Sequence, residues 1–94
     1  MRLKWLRTAL SKLDQEAAHI AVDDAVTARV VVKRVLDAVG LLGEQAESGR
    51  PGRVHGSREL VVLRTRLIVP YRVRAETVEI LRVFHTSRSL LGPG

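Results

Sequence analysis

Nine arginines and no lysine lie between Gly49 and Gly94, with only three glutamates among them. Guanidinium stays ionised and presents a rigid fork of donors that matches phosphate and carboxylate. The segment nets +6, the charge of the whole chain, because residues 1–48 carry seven basic and seven acidic side chains. A charge asymmetry built from Arg implies an acidic partner, either nucleic acid or an acidic protein segment. Proton transfer asks for other residue types. Imidazole as a group exchanges protons near neutral pH, which makes His85 a candidate acid or base, and Glu59 and Glu79 are further candidates. Metal-free cleavage of an RNA chain needs a base for the 2′-hydroxyl, an acid for the leaving oxygen and cations for the phosphorane charge. Arg58, Arg66, Arg72, Arg82 and Arg88 are the available cations. Against that chemistry, a lone histidine closing a strand is more often structural, and an always-charged guanidinium is a clamp rather than a proton shuttle.

The elements that must position these residues follow from periodicity. Arg2 to Leu6 alternates basic and apolar residues and predicts a first strand over 1–6. Leu10, Leu13, Ala17 and Ile20 recur at helical spacing, with Thr8 as N-cap of a helix over 9–21. Asp23 or Asp24 caps a second helix over 25–42, whose apolar positions are Ala28, Val31, Val32, Val35, Leu36, Val39 and Leu42, and Gly43 ends it. The short connection makes 9–42 a helical hairpin. A polar, Gly/Pro-containing linker spans 44–56. Three strand-like runs, 59–63, 67–73 and 78–85, then form an antiparallel meander over 59–85, followed by a tail over 86–94. The expected fold is α+β, in the order β-α-α-β-β-β. An antiparallel-rich sheet is packed by the N-terminal helical hairpin within a single domain over 1–94. Pro70 requires a place in the sheet where no ladder N–H is needed, such as an edge or a bulge. Strict alternation puts Arg82 on the same face as Val78, Ile80 and Phe84, so one face of the sheet mixes apolar residues with Arg.

Composition excludes several classes. With 46% apolar and 28% charged residues the chain is an ordinary globular domain. Cysteine is absent, which removes disulfides and thiolate metal sites. His19, His55 and His85 are too far apart in sequence for a metal motif, and no P-loop or dinucleotide fingerprint is present. No metal or other cofactor is expected. No apolar run is long enough to span a bilayer, so no membrane partner is expected.

The chain's order of motifs has a counterpart. After a strand and a helical hairpin come Gly49-Arg50-Pro51-Gly52-Arg53 and Gly56-Ser57-Arg58-Glu59-Leu60-Val61-Val62. They are followed by Ile68-Val69-Pro70-Tyr71-Arg72-Val73, then Val78-Glu79-Ile80-Leu81-Arg82-Val83-Phe84-His85, with Arg88 just beyond. This sequence resembles the RelE/ParE superfamily of toxins from bacterial type II toxin–antitoxin modules, from about Leu3 to Arg88.

The resemblance implies a small basic bacterial toxin, cytoplasmic and neutralised by a cognate antitoxin. RelE-like members cleave mRNA in the ribosomal decoding site, whereas ParE-like members poison DNA gyrase without established nuclease chemistry. RelE-like nucleases tend to carry an aromatic near the C-terminus that stacks on the target base, a contact of about 1–3 kcal/mol per base. Here Thr86-Ser87-Arg88 follows His85, and Trp5, Tyr71 and Phe84 are the only aromatics. Trp5 and Phe84 are expected in the core, while Tyr71 serves either a site or a buried hydrogen bond. The ParE-like branch and gyrase are therefore the leading expectation, which leans away from enzymatic activity without closing the question. The rival is a ribosome-dependent mRNA endoribonuclease using His85, Arg82, Arg58 and Arg66. A non-toxic nucleic-acid-binding module is a third reading. Arg50, Arg53, Arg58, Arg72, Arg82, His85 and Arg88 are the candidates for binding target or antitoxin, and the antitoxin is expected to bring an acidic segment. For the loop residues Arg50, Arg53 and His55, target contact and simple solubilisation of a Gly-rich turn both remain open.

Overall fold

The computed structural model describes residues 1–86; of the expected tail over 86–94 it includes Thr86, while Arg88 and the other residues of 87–94 lie outside the described residues. Strand β1 (Arg2–Trp5) leads into helix α1 (Arg7–Asp23), and α2 (Ala25–Gly40) runs into a 3₁₀ turn at Leu41–Gly43. Strands β2 (Arg50–Pro51), β3 (Arg58–Val61), β4 (Leu67–Arg74), β5 (Thr77–Ile80) and β6 (Phe84–His85) follow. The sheet order is β1-β5-β4-β3-β2, with β6 pairing β4. All pairings are antiparallel except that of β1 with β5. This is the expected α+β fold, with two additions: a two-residue strand inside the linker, and a last strand divided in two.

The hairpin has one linking residue. Asp24 ends α1 and caps α2, accepting from the N–H groups of Val26 (3.0 Å) and Thr27 (3.1 Å) and from the Thr27 hydroxyl (2.7 Å). The Thr27 hydroxyl, then its N–H, hold the Asp24 carboxyl below its ordinary pKa. Helix α1 begins two residues earlier than expected. Leu6 is its N-cap, without a side-chain cap, and Thr8 lies inside the helix. Its buried positions are Ala9, Leu13 and Glu16, not the expected stripe through Leu10, which is exposed. From α2 and the turn, Val35, Val39 and Leu42 are buried. They pack on Val62, Leu67, Val69, Tyr71, Val78, Ile80 and Val83 of the sheet. Fully burying one such aliphatic side chain is worth about 1.5–3 kcal/mol.

The break in the last strand is a one-residue bulge. Arg72 opposes Glu79 and Tyr71 opposes Ile80, but Ile68 opposes Phe84 and Leu67 opposes His85. An unbroken ladder would set Ile68 opposite Val83. The extra residue turns Val83 fully into the core beside Val78 and Ile80, and leaves Arg82 exposed. The expectation that Arg82 shares a face with Val78 and Ile80 is thereby corrected. Alternation would have driven a guanidinium into the core, at a cost of several kcal/mol for a buried ion. A bulge re-aims it at the expense of one ladder rung.

Pro70 sits where its missing N–H falls at this break. The Leu81 N–H donates to the Pro70 carbonyl at 2.9 Å. In a regular ladder residue 70 would donate back to the Leu81 carbonyl, which Pro cannot do. That carbonyl accepts instead from the Thr8 hydroxyl of α1, at 3.2 Å.

Candidate functional site

The arginines divide into those already engaged and those aimed at solvent. Glu59 of β3 is 6% exposed. Its carboxylate accepts from the Arg50 guanidinium at 3.2 and 3.3 Å and from the Arg53 N–H at 3.4 Å, and the Arg53 guanidinium lies 3.8 Å away. One carboxylate thus ties the loop before β3 to the sheet. Arg72 and Glu79, directly opposed on β4 and β5, pair at 2.6 Å. That bond, with the nearby charges of Arg72, Arg74 and Lys4, holds Glu79 below its ordinary pKa against a smaller desolvation effect. Glu79 is therefore a fixed carboxylate rather than an acid ready to give up a proton.

Arg58 reaches back under the linker and donates to the carbonyls of Glu47 (3.2 Å) and Gly49 (2.9 Å). Tyr71, fully buried on β4, completes this clasp. Its hydroxyl donates to the Ala46 carbonyl at 2.7 Å and accepts from the Gly49 N–H at 2.9 Å. Of its two sequence readings, the buried hydrogen bond is the one observed. A Cβ on Gly49 would lie 2.5 Å from the Tyr71 hydroxyl oxygen, so glycine is required there by close approach.

His85 is half-buried on β6, opposite Leu67, and the Thr86 N–H donates to the Arg66 carbonyl at 2.7 Å. The fold thus brings His85 and Arg66 onto neighbouring backbone at one end of β4, with Arg82 in the bulge before them. Arg58 sits opposite Tyr71, about 13 Å farther along the strand at ~3.3–3.4 Å per residue. Arg53 and His55 are exposed in the loop between β2 and β3.

A groove of about 520 Å³ opens between the first turns of α1 and the bulge. Arg7, Thr8, Ser11 and Lys12 line it from the helix, and Arg82 and Phe84 from the strand. The Arg82 guanidinium lies over the Phe84 ring, 5.9 Å from its centroid. Phe84, expected in the core, is half-buried and lines this groove instead. A second groove, of about 600 Å³, runs along the helical hairpin and is lined by Ala21, Ala25, Ala28, Val32 and Leu36, together with Arg29 and the Lys33–Asp37 ion pair. Val22 and Val26, at the tip of the hairpin, are exposed. Among the described residues no cluster of His, Cys, Asp or Glu is placed to hold a metal ion. No described helix is long and apolar enough to cross a membrane.

Comparison with known proteins decides the family. The model of the ParE toxin of type II toxin–antitoxin systems, parDE, matches residues 3–90. The chain belongs to the ParE toxin family. This toxin is 45% identical over 84 residues to Y4kP of Sinorhizobium fredii, a protein designated a toxin, covering 89% of this chain and 86% of that one. A solved structure described as a chromosomal ParDE TA system from P. aeruginosa superposes with a TM-score of 0.83 at 32% identity. It covers 90% of this toxin and 95% of the matched chain. The strand–hairpin–sheet order that carried the resemblance is thus the family's own.

The groove at α1 is the part of the toxin that sequence reasoning missed. Two of its cations come from the charge-neutral N-terminal half. The legible signal was Thr8-Ser11-Lys12-Gln15 at helical spacing without an acidic residue.

Proposed function

We propose that this toxin acts on DNA gyrase in the bacterial cytoplasm and is silenced by a cognate antitoxin bearing an acidic, amphipathic segment. The observation that carries the target is the division of labour among its charged residues, in a chain of the ParE family. Arg72 fixes Glu79 as a carboxylate, Arg50 and Arg53 bind Glu59, and Arg58 binds two backbone carbonyls. What supports a clamp over a nuclease is this scarcity of groups ready to move a proton. Arg58 also stands about 13 Å along β4 from His85. For the antitoxin, the largely apolar hairpin groove suits an amphipathic helix, and Arg29 in its lining, beside a Lys33–Asp37 pair that is already neutralised, suits an acidic residue on that helix.

The test is induction of the toxin in growing cells, alone and with its antitoxin. The expected result is growth arrest with a DNA-damage response and intact message, relieved by the antitoxin. Message cut at codons in the ribosomal decoding site, with undamaged DNA, would overturn the gyrase reading in favour of the endoribonuclease.

A further inference from the structure

We propose that the groove between α1 and the bulge is a binding site for the phosphodiester backbone of a single nucleic-acid strand. Three cations line it, Arg7, Lys12 and Arg82, and none of them meets a carboxylate among the described residues. This sets them apart from Arg50, Arg53 and Arg72, whose charges are answered by Glu59 and Glu79. Three like charges around one concavity repel one another and raise the local potential, an arrangement that an entering anion relieves.

The rest of the lining suits a strand better than a peptide. Ser11 adds a hydroxyl beside the cations, and Thr8, fixed to Leu81, holds the helix against the bulge. The Arg82 guanidinium carbon lies over the Phe84 ring, 5.9 Å from its centroid. Guanidinium and ring are both planar groups in the groove lining on which a base can stack, and stacking of that kind is indifferent to sequence. Among the described residues of the lining only Phe84 and the fully buried Val83 are apolar, which gives an amphipathic peptide few side chains to anchor it. The bulge itself is what delivers Arg82 and Phe84 to this side of the strand. The site rests on this groove alone and stands whichever cellular target the toxin has.

The experiment measures binding of fluorescently labelled oligothymidylate and oligouridylate to the full-length toxin over a salt series, with polyglutamate as competitor. Arg82→Gln, Lys12→Gln and Arg7→Gln are each expected to weaken oligonucleotide binding by about tenfold and to lower the salt slope by about 0.7. Phe84→Leu is expected to weaken it as well, with the salt slope unchanged. Arg74→Gln, the same charge change at an exposed site elsewhere, is expected to leave it within twofold of the parent, about the range of a nonspecific loss of charge. Thermal melting confirms that each variant is folded. Tighter binding of one oligonucleotide identifies DNA or RNA as the source of the strand, and equal binding assigns recognition to the shared backbone. Equal weakening by Arg74→Gln and the groove variants would overturn the site. Polyglutamate bound at the groove more tightly than either oligonucleotide would overturn it too, in favour of an acidic peptide.

Discussion

Thr8 of the first helix donates its hydroxyl to the carbonyl of Leu81, at 3.2 Å, the acceptor that Pro70 leaves without a ladder partner. One side-chain bond therefore repairs a defect in the sheet, fixes α1 against the bulge and forms one wall of the basic groove. Thr8→Val should cost about 0.5–1.5 kcal/mol, the net worth of one hydrogen bond. In a Pro70→Ala background, where the ladder N–H is restored, the same substitution should cost much less. A double-mutant cycle by chemical denaturation measures that coupling, and additive costs would refute the link.

Tyr71→Phe should destabilise the toxin by about 1–3 kcal/mol, because it strands the Gly49 N–H and the Ala46 carbonyl under the linker. Gly49→Ala should be of similar severity, since its Cβ would run into the buried Tyr71 ring. Urea unfolding checks both. A fully stable Gly49→Ala protein would show that the clasp yields.

The β4–β5 hairpin turns through Ala75 and Glu76, at φ of +50° and +58°. Both sit in the left-handed region that suits Asn-Gly in a two-residue turn. The double substitution Ala75→Asn, Glu76→Gly should stabilise the fold by about 1 kcal/mol, seen as a melting temperature about 4–8 °C higher.

Glu79 has a lowered pKa in the folded state, chiefly through its hydrogen bond to Arg72. The sign follows from linkage. Its contribution to stability is fully present above the ordinary carboxylate range and is lost as pH falls through the lowered value. Melting temperatures of wild type and Glu79→Gln should differ at neutral pH and converge as the solution is acidified. A difference that persists at the acid end would assign the effect to packing.

The order of elements was legible because helical and strand periods are distinct, as the α2 stripe through Val35 and Val39 illustrates. The bulge was not, because counting alternate residues assumes a ladder without insertions. That single extra residue moved Val83 inward and Arg82 outward. The α1 stripe was misplaced for a different reason. One of its three buried positions is Glu16, whose polarity hid the register set by Ala9 and Leu13. At the site, the Arg-rich half was visible as composition. Which arginines were already paired depended on cross-strand register, such as Arg72 opposite Glu79, that only the folded sheet supplies. Arg7 and Lys12 escaped notice because the acidic residues that neutralise their half of the sequence do not line their groove.

The most direct test of the central claim uses purified toxin, gyrase, ATP and supercoiled plasmid, with His85→Ala alongside the parent. The account predicts accumulation of gyrase-dependent linear DNA with both proteins, and its suppression by the antitoxin. No gyrase-dependent cleavage, together with message cut on ribosomes by the parent and about a thousandfold less by His85→Ala, would contradict it.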